Sequence, residues 1–123
     1  MQTKKIESFT DLIAWQKGHK IVLSVYSITK KFPKEEIFGL TNQMRRCAVS
    51  ITSNIAEGFS RKNKKEQKQF YRISLGSLTE LQSQLLVARD VKYLSNKEFK
   101  KIGENTIEVQ KLIFGLIKSA VDA

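Results

Sequence analysis

Apolar residues recur every three or four positions along most of this chain, which is the spacing of amphipathic helices and not of strands. The clearest case is the stretch around Gln43 to Arg61, where polar residues border one apolar stripe. The stripe consists of Ile37, Leu40, Met44, Cys47, Ala48, Ile51 and Ile55. Gly58 offers a C-cap, and a charged connector follows it. The pattern therefore predicts a core-facing helix from about residue 36 to about 60.

The same period predicts a helix before this one and two after it. The first should begin at an N-cap on Thr10 and end at about residue 32, where Pro33 stops it. Its predicted inward positions are Leu12, Trp15, His19, Val22, Tyr26 and Thr29. The third helix spans about residues 63 to 93. The fourth, capped by Ser95 or Asn96, spans about residues 96 to 121. Its predicted core stripe is Phe99, Ile102, Thr106, Val109, Ile113, Leu116 and Ala120.

Only short turns separate these four helices, and short connections make consecutive helices antiparallel. The 123 residues contain one proline and suit a single compact domain. We therefore predict an all-α protein, folded as one antiparallel up-down-up-down four-helix bundle over residues 1–123.

The third predicted helix is apolar on two sides. Its core stripe is Tyr71, Leu75, Leu78, Leu81, Leu85 and Ala88, and a mixed second stripe is Phe70, Ile73, Ser77, Glu80, Gln84, Val87 and Val91. A single bundle core covers one side of a helix, so the apolar residues of the second stripe need another cover. We predict a homo-oligomer whose interface contains Phe70, Ile73, Val87 and Val91.

Charge changes the picture of possible partners. Lysine and arginine total 22 against 12 acids, which gives a formal net charge of +10. Such an excess favours an acidic partner, RNA or DNA above all, although lysine-rich helices can also serve solubility alone. No apolar run reaches the roughly 18 residues of a membrane span, and the N-terminus lacks a secretory signal. We expect a cytoplasmic protein with no membrane partner.

The basic residues are concentrated in the connector after the second helix. Arg61, Lys62, Lys64, Lys65, Lys68 and Arg72 stand there against the single acid Glu66. In an up-down bundle this segment lies at the same end as Lys4 and Lys5. The opposite end carries Lys30, Lys31, Lys34, Lys97, Lys100 and Lys101, but Glu35, Glu36 and Glu98 dilute it. We predict the first set as the nucleic-acid-binding residues.

A structural polar cluster is predicted from residues that antiparallel pairing brings level. Trp15 is then level with Asn54, so the Asn54 amide or the Glu57 carboxylate could accept the indole N–H. Arg46 falls within one helical turn of Glu80, and an ion pair would explain the acid in the second stripe. We interpret that pair as a device that fixes register or subunit packing, in preference to a ligand site.

Catalysis and metal binding are not supported by the sequence. Cys47 and His19 are the only residues of their types, and both fall on predicted core stripes. They are level enough to suggest a Cys–His pair, but no reactive site is evident. The chain has no Glu-x-x-His repeat of the kind that bundle di-metal sites use. We expect no enzyme activity, no metal and no cofactor.

These signals together resemble the bacterial four-helix bundle proteins known as 23S rRNA-intervening-sequence proteins. The matching pieces are DLIAWQKGHK at 11–20, YSITKKFPKEEIFGLTNQMRRCAVSI at 26–51, SNIAEGFSRKNKKE at 53–66 and FYRISLGSLTELQSQLLVAR at 70–89. They cover nearly the whole chain. The chain departs from the family pattern at Thr52, where proline is common, at Cys47, where alanine is common, and at Gly18-His19.

The resemblance implies a bundle that assembles into a ring, a pentamer, with no catalytic activity. It also implies encoding within intervening sequences of large-subunit rRNA genes. The accessory proteins of diversity-generating retroelements look like relatives, and they bind a reverse transcriptase and nucleic acid. Two functions therefore remain open for this chain: a nucleic-acid-binding accessory protein, or a ring-shaped module that binds another protein.

Overall fold

A computed structural model describes residues 5–120, and within that range it contains four α-helices and no strand. The helices are α1 (Ile13–Thr29), α2 (Leu40–Ser60), α3 (Lys64–Asp90) and α4 (Asn96–Ser119). Short 3-10 turns at Phe9–Asp11 and Lys34–Glu36 precede α1 and α2. The predicted all-α four-helix bundle is confirmed.

Contacts between neighbouring helices run in reverse order along the chain. On α2 and α3, the hydroxyls of Ser50 and Ser77 lie 2.8 Å apart, whereas the earlier Cys47 meets the later Glu80 at 3.0 Å. The same reversal relates the other neighbours through the pairs Gln82–Thr106, Arg89–Phe99, Lys17–Glu108 and Lys31–Glu98. Consecutive helices are therefore antiparallel, and α1 packs between α2 and α4.

The core contains the stripes that periodicity predicts for α2, α3 and α4. The fully buried side chains among them include Met44, Ile51, Ile55, Leu78, Leu81, Leu85, Val109 and Ile113. Ile37 is the exception on the predicted stripe of the second helix. It lies in the turn before α2 and is 55% exposed. The stripe pattern is reliable where one apolar face dominates the helix.

The buried face of α1 differs in part from the predicted one, because Val22 and Thr29 are buried as predicted but the other predicted positions are not. His19 and Tyr26 are exposed and Trp15 is only half-buried, whereas Ala14, Gly18, Ile21, Val25 and Ile28 face the core. Two apolar stripes overlap on this helix, the predicted one and the one that contains Ala14 and Gly18. The second stripe is buried because its small residues allow α2 to pack closely. A Cβ on Gly18 would lie 3.1 Å from Cγ2 of Thr52, so this glycine permits the close approach of α1 and α2.

Several predicted helix ends need correction. α2 begins at Leu40 and not near residue 36, and α3 ends at Asp90 and not near residue 93. Ser8 and not Thr10 is the N-cap, and it caps the 3-10 turn, after which Leu12 is extended and α1 begins. α1 ends at Thr29, before Pro33 is reached. Gly58 is not a C-cap, because α2 continues to Ser60. The predicted end of the fourth helix at residue 121 and the basic residue Lys4 lie outside the described residues.

Candidate nucleic-acid interface

The connector between α2 and α3 is held in place by neutral side chains. The Asn63 side chain caps α3 by accepting from the backbone N–H groups of Lys65 at 2.8 Å and Glu66 at 3.2 Å. The Gln67 amide donates to the Arg61 carbonyl at 2.7 Å. These bonds satisfy backbone groups at both helix ends. The backbone of the connector is therefore held by neutral side chains at both helix ends.

Tyr71 fixes the same end of the bundle from inside. Its ring is buried and packs against the bare backbone of Gly58, where an added Cβ would meet ring atoms at 2.6 and 2.9 Å. Gly58 is therefore required for close approach of α2 to the start of α3, and not for a left-handed cap. The contact locks the angle at which α3 leaves the connector.

The cations of this segment point mainly to solvent. Lys62, Lys64, Lys65 and Arg72 are exposed, and Lys68 is half-buried. Among residues 5–120, none of these five side chains has an acidic group within ion-pair distance. Lys64 and Lys65 also occupy the first turn of α3, where the helix dipole disfavours positive charge. Helix stability therefore does not explain why lysines stand here.

Arg61 differs from the other predicted binding residues because it already has partners. Its guanidinium donates to the Glu57 carboxylate at 2.9 Å and lies 4.9 Å from the centre of the Phe70 ring. Glu57 is thus the partner of Arg61 and not of the Trp15 indole, which corrects that prediction. Arg61 covers Phe70 and contributes less free charge than the lysines.

We call the part of the bundle around the α2–α3 turn the connector end, and the part around the α1–α2 and α3–α4 turns the double-turn end. At the double-turn end the acids are used in the structure. Glu98 pairs with Lys31 and completes a capping box with Ser95, and its pKa is lowered, first by the hydrogen bond from Lys31. Glu36 accepts a hydrogen bond from the Tyr93 hydroxyl at 2.8 Å. The positive charge at this end is therefore partly neutralised.

The predicted pairing of Trp15 with Asn54 is wrong. Trp15 packs edge-on against Phe9, with ring centres 5.3 Å apart, and stacks on His19 at 4.8 Å. The Asn54 amide instead donates to the Ser50 carbonyl at 2.8 Å and to its hydroxyl at 3.1 Å. The two positions are level in a one-dimensional alignment of α1 and α2, but such an alignment does not show which way each side chain faces.

Arg46 and Glu80 do come together, in a surface pocket between α2 and α3, but they form no ion pair within the described range. Glu80 accepts a hydrogen bond from the Cys47 thiol at 3.0 Å instead. Burial, and then this carboxylate, raises the pKa of Cys47 to about 11. The thiol stays protonated near neutral pH, so it is a poor nucleophile. His19 points outward to Trp15, so the suggested Cys–His pair does not exist.

The sequence profile of the 23S rRNA-intervening sequence protein family matches residues 10–115. This chain belongs to that family. Its fold is similar to a solved Bacteroides thetaiotaomicron protein of unknown function from the S23 ribosomal protein family. That likeness has a TM-score of 0.80 at 20% identity, over 86% of this chain and 96% of the other. A search of the curated proteins finds no match.

In this family member, the predicted interface residues of α3 are only partly covered. Ile73, Val87 and Val91 are 51%, 48% and 50% exposed, whereas Phe70 is half-buried beneath Arg61. Sequence reasoning missed Phe38, which is 91% exposed, because the predicted second helix included it. The available signal was Gly39, which follows Phe38 and interrupts the start of that helix.

The described residues show neither a metal-binding cluster nor a membrane-spanning helix. In the described part of the chain, no group of three or more histidine, cysteine, aspartate or glutamate side chains could hold a metal ion. Over the same residues, no helix is long and apolar enough to cross a membrane.

Proposed function

We propose that this protein is a non-enzymatic, cytoplasmic accessory factor that assembles into a homo-oligomeric ring and binds RNA or DNA at its connector end. The observation that carries the proposal is the set of exposed cations, Lys62, Lys64, Lys65 and Arg72, without acidic partners among the described residues. The description of the family, which refers to an intervening sequence of 23S rRNA, agrees with a nucleic-acid context.

The chemistry of this end favours the phosphate backbone as the group that is bound. Lysine ammonium groups act as mobile point charges and carry no fixed pattern of base recognition. The segment Arg61–Arg72 has two aromatic rings. Tyr71 is buried and Phe70 is covered by Arg61, so neither is free to stack on a base. We therefore expect binding that depends strongly on salt and weakly on sequence.

A ring would strengthen such binding. The half-exposed side chains of Ile73, Val87 and Val91 support self-association, because they leave apolar area that one bundle does not cover. A closed ring repeats the connector end around its axis, so weak contacts by each subunit add through multivalency. The family resemblance favours five subunits.

The same exposed apolar residues also favour the second candidate, a ring-shaped module that binds another protein. The two functions differ in their response to salt. Phosphate contacts weaken steeply as salt rises, whereas a protein held by apolar contacts is retained at physiological salt. Pull-downs at low and physiological salt, with nuclease treatment as a control, separate them.

The decisive test changes Lys62, Lys64 and Lys65 to glutamate in one variant. We expect this variant to lose binding to single-stranded and double-stranded RNA and DNA, with helicity and oligomeric size unchanged, because all three side chains are exposed. The matched control changes Lys30, Lys97 and Lys101 to glutamate, which alters net charge equally at the double-turn end. Retained binding in the first variant, or equal loss in both, would overturn the assignment to the connector end.

A further inference from the structure

Phe38 is the most exposed large apolar side chain among the described residues, at 91%. The turn that presents it is well ordered by hydrogen bonds. Gly39 N–H donates to the Glu36 carbonyl at 2.9 Å, and Leu40 N–H donates to the Glu36 carboxylate at 3.1 Å. The second carboxylate oxygen is held by Tyr93 at 2.8 Å. An ordered turn thus presents a phenyl ring to solvent, and packing within this subunit does not stabilise that exposed ring.

An apolar groove lies elsewhere on the same molecule, between α3 and α4. Its volume is about 320 Å³, and its walls include Leu85, Leu86, Phe99 and Ile107. Leu86 and Ile107 are 44% and 51% exposed. The volume is at the low end of the range for small-molecule sites, and it suits one large side chain better than a cofactor.

The groove and Phe38 lie near the same end of the bundle. Phe99, at one end of the groove, is level with Arg89, whose guanidinium lies 4.6 Å from the Phe99 ring centre. Arg89 is one turn from Tyr93, which bonds to the turn that carries Phe38. A second apolar pocket, lined by Leu12, Ile13, Leu112 and Leu116, is at the connector end. Of these two apolar pockets, the α3–α4 groove is the one nearer the end that carries Phe38.

We infer that Phe38 of one copy packs into the α3–α4 groove of the next copy. The two surfaces come from different elements, so the contact is heterologous, and repeated contacts at one height close into a ring. This inference rests on the homo-oligomeric ring of the proposed function, and it names residues at the interface between its subunits. Copies with a formal charge of +10 repel each other, so their association needs apolar burial of this kind.

Charges beside the two surfaces can also complement each other. Lys34 and Glu35 precede Phe38, and Lys100 and Glu104 line the groove. One orientation brings each lysine of one copy toward an acid of the other. A single aromatic side chain covers too little area for a stable interface by itself. Phe38 therefore serves as the central anchor, with surrounding residues and ring closure completing the contact.

The test uses two variants of the full chain, Phe38→Asp and Ile107→Asp, measured by light scattering and analytical ultracentrifugation. Each should lower the mass to that of a monomer with helicity unchanged, since both side chains are exposed. An equimolar mixture should form a 1:1 dimer, because one variant keeps its groove and the other keeps its phenyl ring. The control Leu23→Asp changes an apolar residue of α1 that is 57% exposed and should keep the wild-type mass.

The outcomes separate this contact from the ring itself. A wild-type monomer at micromolar concentration would overturn both the ring and the contact. A wild-type oligomer with Phe38→Asp still at full mass would overturn the contact alone. Two monomeric variants that fail to pair in the mixture would also contradict it, because a heterologous interface must be rescued by the intact surface of each partner.

Discussion

The two ends of the bundle are both rich in lysine but are built differently. At the double-turn end, carboxylates form the local structure: Glu98 caps α4 and pairs with Lys31, and Glu36 braces the turn before α2. At the connector end, the neutral amides of Asn63 and Gln67 make the corresponding hydrogen bonds to the backbone. Among the described residues, one lysine of the first end, Lys31, is therefore paired with an acid, whereas no lysine of the Arg61–Arg72 segment at the connector end is.

The unpaired positive charge at an end of the bundle therefore depends on the residues that cap its helices as well as on the number of its lysines and arginines. An acid at a helix N-terminus stabilises the helix and also cancels nearby cations, whereas an amide caps equally well and cancels none. A surface that has to attract an anion is better built with amides. Three changes break or sharpen this contrast.

The largest effect is expected from Gly58→Ala, which disturbs the connector end from within. The added Cβ would meet the buried Tyr71 ring at 2.6 Å, so we expect a loss of about 1–2 kcal/mol in the free energy of unfolding after the gain in helix propensity. The matched control is Gly76→Ala on α3, where no atom lies within 4 Å, and it should stabilise by up to about 1 kcal/mol. Urea denaturation measures both, and equal effects would contradict the packing role of Gly58.

Glu98→Ala removes the acid that serves the double-turn end. Loss of the capping box should cost about 1 kcal/mol at neutral pH. Because the pKa of Glu98 is lowered in the folded state, its contribution is present above the ordinary value of 4.5 and fades as pH falls through the lowered value. The difference between variant and wild type in thermal unfolding should therefore shrink below about pH 4.5. A constant difference down to pH 2 would show that the carboxylate charge is not involved.

The smallest change makes the two ends alike. Asn63→Asp keeps a good cap and adds a charge that the dipole of α3 favours, so stability should rise by about 0.3–1 kcal/mol at low salt. Binding of nucleic acid should weaken by a few-fold, since the new carboxylate lies among the lysines. Calorimetry and fluorescence anisotropy on the same samples measure the two quantities. If the variant is more stable and binds as tightly as wild type, the lysines around residue 63 do not contribute to the affinity for nucleic acid.

Much of the fold could be predicted because α2, α3 and α4 each present one dominant core stripe. α1 could not, since its two stripes overlap and the choice depends on how closely Gly18 lets α2 approach Thr52. Gly58 was misread for a related reason: a glycine before a connector is compatible with a cap and with a close contact, and only the position of Tyr71 decides. Both errors concern interhelical distance, which periodicity does not encode.

The candidate site could be predicted only in part, because a basic run in sequence gives charge and not pairing. The run from Arg61 to Arg72 was identified, but the engagement of Arg61 by Glu57 and Phe70 appears only in three dimensions. Alignment by height correctly brought Arg46 near Glu80. It failed for Trp15 because height says nothing about the side of the helix on which a residue lies.

We propose to measure how the affinity for nucleic acid depends on salt concentration in wild type and in a variant with neutral connector residues. This measurement tests whether the connector end binds the phosphate backbone. The slope of log K against log salt concentration counts the counterions released, and changing Lys62, Lys64 and Lys65 to glutamine removes positive charge without adding repulsion. We predict a steep slope for wild type, flattened by up to roughly 0.9 for each lysine that contacts duplex phosphates. A slope unchanged in the triple glutamine variant would contradict the claim that the connector end binds nucleic acid.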